Sequence, residues 1–225
     1  MPHQPTVPEP PGRAAPEPPA GAHNRPARDA LAPGGLARQV FGRPALEVAP
    51  SLLGMWLVRS DGRAAQLVEV EAYMGEEDPG SHAYRGWARR AATMFGPPGH
   101  MYVYFTYGMH WCANVVCSPE GTASAVLLRA AEPVGGLALM RAARWRGQRR
   151  QRDQDLCRGP ARLCEAFGIT GAFDGADLVT GDRGVWLAPG PPGRPGPVAT
   201  STRVGLSRGA ELPWRFYLSG NPWVS

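Results

Sequence analysis

Apolar and polar positions alternate most regularly in Leu67-Val68-Glu69-Val70-Glu71-Ala72-Tyr73. Side chains along a β-strand point to opposite faces in turn. A strand here therefore puts Val68, Val70 and Ala72 on one side and Glu69, Glu71 and Tyr73 on the other. The apolar side belongs to a core. The other side, two carboxylates and a phenol, suits either a solvated strand or the wall of a concave pocket. A second run, from His100 to Val116, is rich in aromatic and β-branched residues with Gly108 near its middle. That pattern predicts two antiparallel strands joined at a tight turn. Its tip carries Tyr107 and Met109, large side chains that gain nothing by facing water. A stacked, apolar surface such as a base step would suit them.

The remaining pattern predicts a helix over 44–53, closed by Gly54, with Pro50 forcing a break or a late start. A strand over 55–58 and a turn at Ser60-Asp61-Gly62 lead into a partner strand over 64–73. Residues 74–99 form a long connection, acidic at its start (Glu76, Glu77, Asp78) and basic later (Arg85, Arg89, Arg90). The acids read as solvated and the arginines as partners for phosphate. A short strand over 125–130 contains Arg129, whose plain reading is a structural ion pair. A helix over 133–146 follows, with Leu137, Met140 and Ala143 on its core side, and then an arginine-rich loop over 144–152. Gly159-Pro160 opens a helix that runs to Phe167 and stops at Gly168, and Arg158 and Arg162 make its start a candidate phosphate site. Strands over 184–187, 198–206 and 214–218 complete one α/β domain on a curved, largely antiparallel sheet. Residues 1–35, dominated by Pro, Ala and Gly, cannot bury enough surface to offset ordering entropy. They are expected to be a disordered arm, leaving 36–225 as the single domain.

Composition narrows the function. The formal charge is +5 and the pI about 9.4. The first 35 residues carry three arginines and three acids, so the basic excess lies in the folded part, as a polyanion partner would require. The four cysteines, Cys112, Cys117, Cys157 and Cys164, match no common zinc spacing and are expected reduced and buried, with no metal or cofactor. The chain start lacks the apolar core of a signal peptide and no run approaches membrane-spanning length, which predicts a cytoplasmic protein.

Five segments, VEVEAYMGEEDPGSHAYRG, MYVYFTYGMHWCAN, AVLLRAAEP, LCRGPARLC and RFYLSGNPWVS, occur in series. Together they resemble the 3-methyladenine (alkyladenine, methylpurine) DNA glycosylases from about Leu36 to Ser225. The resemblance implies a single α+β domain on a curved antiparallel sheet, similar to the C-terminal domain of formyltransferases, with a protruding hairpin that intercalates into DNA. It implies a monomer acting on double-stranded DNA with damaged purines and needing no cofactor. It makes Tyr107 the plug left in the base stack, with Met109 and His110 beside it. It puts Tyr73, His82 and Tyr104 around the flipped purine, and gives Asn114 a clash with the amino group of normal guanine. It makes Glu71 the general base for a water attacking the sugar C1′, with Arg129 holding the water and the carboxylate. On this reading Glu69 is structural. All 24 basic residues are arginine, so no lysine amine can form a Schiff base with the opened sugar and cut the strand. Two rivals stay open: a catalytically silent nucleic-acid binder on the same scaffold, and a small-molecule hydrolase using the same pocket.

Overall fold

The computed structural model describes residues 31–145, 152–193 and 196–225. Most of the expected arm and positions 146–151 of the arginine-rich loop lie outside the described residues. Leu31 and Gly34, which the sequence assigns to the arm, are hydrogen-bonded to the body through Trp186 and Val179.

Eight strands form one curled sheet in which every pairing is antiparallel. They are β1 (Trp56–Arg59), β2 (Ala64–Tyr73), β3 (Met101–Thr106), β4 (His110–Val116), β5 (Ala125–Gly135), β6 (Val185–Ala188), β7 (Val198–Ser201) and β8 (Arg215–Leu218). The order is β3-β4-β5-β2-β1-β6, and β8, carrying β7, also pairs with β2. Strand β2 is the axis. One edge pairs with β5 along its whole length, while the other is shared, β1 taking Ala64–Gln66 and β8 taking Glu69–Glu71.

Of the three α-helices among the described residues, α1 (Ala45–Leu52) and α3 (Pro160–Phe167) pack on this sheet, and α2 (Leu137–Trp145) packs against α3. Leu67, Val68 and Val70 of β2 are fully buried with Val48 and Leu52 of α1 and Leu163 and Phe167 of α3 in one core. Each such side chain contributes about 1.5–3 kcal/mol. Gly168 ends α3 in the left-handed conformation, and Arg63 and Arg59 donate to the carbonyls of Ala166 and Phe167. These are cations at the negative end of a helix.

The structure corrects four expectations. Pro50 does not break α1, because it lies in the last turn, where its missing N–H removes one late bond. Strand β5 runs on to Gly135, and Pro133 pairs with Ala65 beside a register irregularity rather than opening a helix. Proline is tolerated in a sheet at such irregular positions. Helix α2 accordingly begins at Leu137. Strand β7 stops at Ser201, and the following stretch turns inward to bury Arg203.

Candidate active site

Glu71, on β2, is fully buried, which removes the solvated-strand reading. The Tyr73 hydroxyl donates to its Oε2 at 2.9 Å and the Val204 N–H donates to Oε1 at 2.8 Å. Arg129 Nη1 lies 3.4 Å from Oε1. Burial, followed by the nearby Glu71 charge, pushes the Tyr73 phenol far up. Tyr73 therefore stays a proton donor to the carboxylate.

Arg129 reaches this position through paired β-bulges. Across β2 and β5, Glu69 pairs with Ala130 and Val70 with Leu128, leaving Arg129 opposite no residue, just as Val68 is skipped on β2. A bulge re-aims a side chain. Here it brings the Arg129 guanidinium between both carboxylates of β2. Its closer partner is Glu69, whose Oε1 accepts from Arg129 Nε at 2.7 Å and from Arg215 Nε at 2.6 Å. Glu69 also accepts from the Ser225 backbone N–H at 2.6 Å. Two buried carboxylates thus meet two arginines, as buried charges must.

The cavity in front of this network is lined by all four residues expected to form it, Tyr73, His82, Tyr104 and Asn114, together with Tyr102 and Ser81. Glu71 is not in the lining. It stands one hydrogen bond behind the wall, through the Tyr73 hydroxyl. His82 meets Tyr104 edge to face at 4.5 Å between ring centres. Tyr102 hydroxyl lies 2.9 Å from His82 Nδ1 and donates to the Arg90 carbonyl at 3.1 Å. The hydroxyl has one proton, so Nδ1 carries the hydrogen and Nε2 keeps its lone pair. Burial, with Arg90 nearby, lowers the His82 pKa to about 4. The Asn114 side chain donates to the carbonyl of its cross-strand partner Tyr102 at 3.0 Å, which fixes its amide.

The loop that delivers His82 is fastened by a pair the sequence reading missed. Asp78 and Arg203 are both fully buried at the side chain and meet in a two-point contact at 2.5 and 2.7 Å. Asp78 also accepts from the backbone N–H groups of Met74 and Gly80, and Arg203 donates to the carbonyls of Ala72 and Gly209. The Arg203 guanidinium lies 4.7 Å from the Tyr73 ring centre and 5.0 Å from that of Trp214. Asp78 is thus no solvated acid, unlike its exposed neighbours Glu76 and Glu77.

At the hairpin tip Tyr107 is 78% exposed and Met109 69%, and His110 is exposed beside them. Tyr107 and Gly108 both take positive φ, 50° and 66°, as mirror-image hairpin turns require. A groove lined by Tyr107, Arg90, His82 and Tyr104 joins the tip to the cavity. Arg158 and Arg162 do not line it. Arg158 donates to the Val224 carbonyl at 2.8 Å, and Arg162 pairs with Asp155 at 3.1 Å. All four cysteines are free and buried. No helix among the described residues is long and apolar enough to cross a membrane.

The curled antiparallel sheet thus sets a buried carboxylate behind an aromatic cage and carries an exposed aromatic hairpin tip, and sequence similarity places a chain of this build among the DNA glycosylases. Within that class the chain belongs to the methylpurine-DNA glycosylase family, whose model matches residues 39–222. It is 54% identical over 190 residues to a relative from Burkholderia lata, covering 84% of this chain and 90% of the relative. A relative from Streptomyces avermitilis is 50% identical over 195 residues with the same coverage. One from Frankia casuarinae is 48% identical over 207 residues, 88% of this chain and 94% of its own. All three are provisionally named 3-methyladenine DNA glycosylases.

Proposed function

We propose that this protein is a monofunctional glycosylase that turns damaged purines out of duplex DNA and hydrolyses their N-glycosidic bond, starting base excision repair. Its substrates are 3-methyladenine and 7-methylguanine, whose positive charge lets the base leave without taking up a proton; hypoxanthine and ethenoadenine are neutral, and their release from the same pocket also requires a proton delivered to the departing base. The observation that carries this reading is the buried Glu71, ringed by donors and joined through Tyr73 to an aromatic cavity.

Turning a nucleotide out of the stack costs a few kcal/mol. Tyr107 offsets this by filling the gap, flanked by Met109 and His110. The extruded base enters between Tyr73, His82 and Tyr104, whose π faces attract the positive charge of an N-methylated purine. A neutral His82 adds no opposing charge. Asn114, fixed by its bond to Tyr102, stands against the amino group of normal guanine. Glu71 then orients a water and takes its proton as the sugar acquires oxocarbenium character. Arg129, held by Glu69, keeps the carboxylate in place. With no lysine in the chain, base release is not followed by lysine-dependent strand cleavage.

The test is base release from a methylated duplex and from a duplex with a single hypoxanthine, scored for abasic sites before any strand-breaking treatment. Wild type is expected to leave abasic sites in unbroken strands. Tyr107→Ala, run in parallel, is expected to lose about tenfold to hundredfold in lesion affinity, the worth of one stacked base. Tight DNA binding without base release would make the protein a silent binder, and an unchanged lesion preference in Tyr107→Ala would remove the plug.

The imidazole gives a separate check. His82 is expected to titrate near pH 4 in the folded protein, against about 6.5 for a free side chain. Between these values the unfolded chain takes up a proton that the folded chain refuses. This group therefore withdraws stability as the pH falls from 6.5 to 4, fully so below 4. NMR titration of the His82 ring reads it directly, and a midpoint near 6.5 would show an open, solvated pocket instead.

A further inference from the structure

Four arginines stand apart from the others. Elsewhere among the described residues each arginine lies within 4.0 Å of a carboxylate or, for Arg158, donates to a backbone carbonyl. Arg85, Arg89, Arg90 and Arg208 are exposed, and their guanidinium groups have no such partner among the described residues. Arg85, Arg90 and Arg208 line a single cavity with Ser81 and His82. The same Ser81 and His82 line the aromatic base pocket, and Arg90 also lines the groove leading to Tyr107. The exposed rings of Tyr84 and Trp87 stand on the same loop.

We propose that the cavity formed by Arg85, Arg90 and Arg208 is the binding site for phosphates of the DNA strand that carries the damaged base. The inference rests on the glycosylase reading above and specifies how that site holds its substrate. A nucleotide whose stacking position is taken by Tyr107 and whose base sits against His82 must carry its flanking phosphates across the ground between them. Arg90 occupies that ground, with its backbone held by Tyr102. A guanidinium matches a phosphate in two-point geometry. The three side chains have no carboxylate to give up before binding one. The start of α3 is the weaker site, because Arg162 would have to leave Asp155 and Arg158 the Val224 carbonyl. The phosphates are therefore assigned to the loop over the pocket and not to α3.

Each arginine–phosphate contact releases counterions and contributes about 0.9 to the slope of log affinity against log salt. The experiment measures fluorescence anisotropy of a labelled duplex carrying a stable abasic-site analogue, between about 50 and 200 mM salt. Wild type, Arg85→Gln/Arg208→Gln, Arg85→Lys/Arg208→Lys and Arg158→Gln/Arg162→Gln are compared, each first checked for a wild-type melting transition. The Arg85/Arg208 glutamine variant is expected to lose about 2 from the slope. The lysine variant is expected to keep the slope, and the Arg158/Arg162 variant to stay within about 0.5 of wild type. An unchanged slope in the Arg85/Arg208 glutamine variant, or the loss appearing in the Arg158/Arg162 variant instead, overturns the assignment. The analogue has no base to release, so a failure of the catalytic reading leaves this result standing.

Discussion

Glu71→Gln is expected to bind a lesion-bearing duplex as wild type does while releasing its base about 10² to 10⁴ times more slowly, the range for loss of a positioned general base. The amide is the same size as the carboxylate and keeps one acceptor oxygen for the Tyr73 hydroxyl. It cannot take a proton from water. Its NH₂ end would then face the Val204 N–H, which donates to Glu71. Single-turnover release with enzyme in excess separates this from a binding defect. A rate within tenfold of wild type would take Glu71 out of the mechanism and leave the hydrolysis to another group.

Asp78→Ala is expected to have the largest effect on the fold itself. It leaves the Arg203 charge buried without its partner, a loss of about 3–5 kcal/mol. At about 2–4 °C per kcal/mol for a domain of this size, the melting temperature should fall by roughly 10 °C. The damage should extend to the chemistry, since Asp78 also fastens the backbone of Met74 and Gly80 just before His82. Replacing both partners with apolar residues, Asp78→Leu with Arg203→Met, should recover part of the stability, because no unpaired charge is then buried. Recovery of stability without recovery of base release would separate the pair's anchoring of the loop from its contribution to the core. A melting temperature within about 2 °C of wild type in Asp78→Ala, less than 1 kcal/mol on that scale, would mean the pair is not a determinant of the fold.

How much of this was legible in the sequence depends on whether local pattern carried the information. Strand β2 was read over the residues it occupies because alternation and a turn signal at Asp61-Gly62 agree. Helix α3 was read from Pro160 to Phe167 because proline and glycine punctuate both ends. The same alternation left exposure open. It marks Glu69 and Glu71 as polar, yet both are buried, because Val204 and Ser225 reach them from the end of the chain and Arg129 and Arg215 bring the countercharge. Pattern reports polarity, whereas burial is decided by what arrives from far along the chain.

The site divides in the same way. Tyr73, His82, Tyr104 and Asn114 were identified by resemblance to a family, and the structure gathers them into one cavity. Tyr102 was accessible from alternation alone, two residues from Tyr104 on the same face, and was passed over. Arg203 has no local signal, since it sits in a short irregular stretch 125 residues from Asp78. Arg129 was seen as a member of an ion pair. Its closer partner, Glu69, was not identified, because a bulge shifts the register that simple strand geometry assumes.

The forked pairing of β2 has a consequence for how the molecule opens. A strand paired along both edges is released only when its neighbours part, whereas β3 lies at the end of the sheet order and, among the described strands, pairs with β4 alone. Stability is distributed unevenly in such an arrangement. Amide protons of Val70 and Glu71 should be among the last to exchange with solvent, and those near Thr106 among the first. On the proposed reading, the tip that meets the duplex and the carboxylate that must hold its place would then share one sheet as different units of local unfolding.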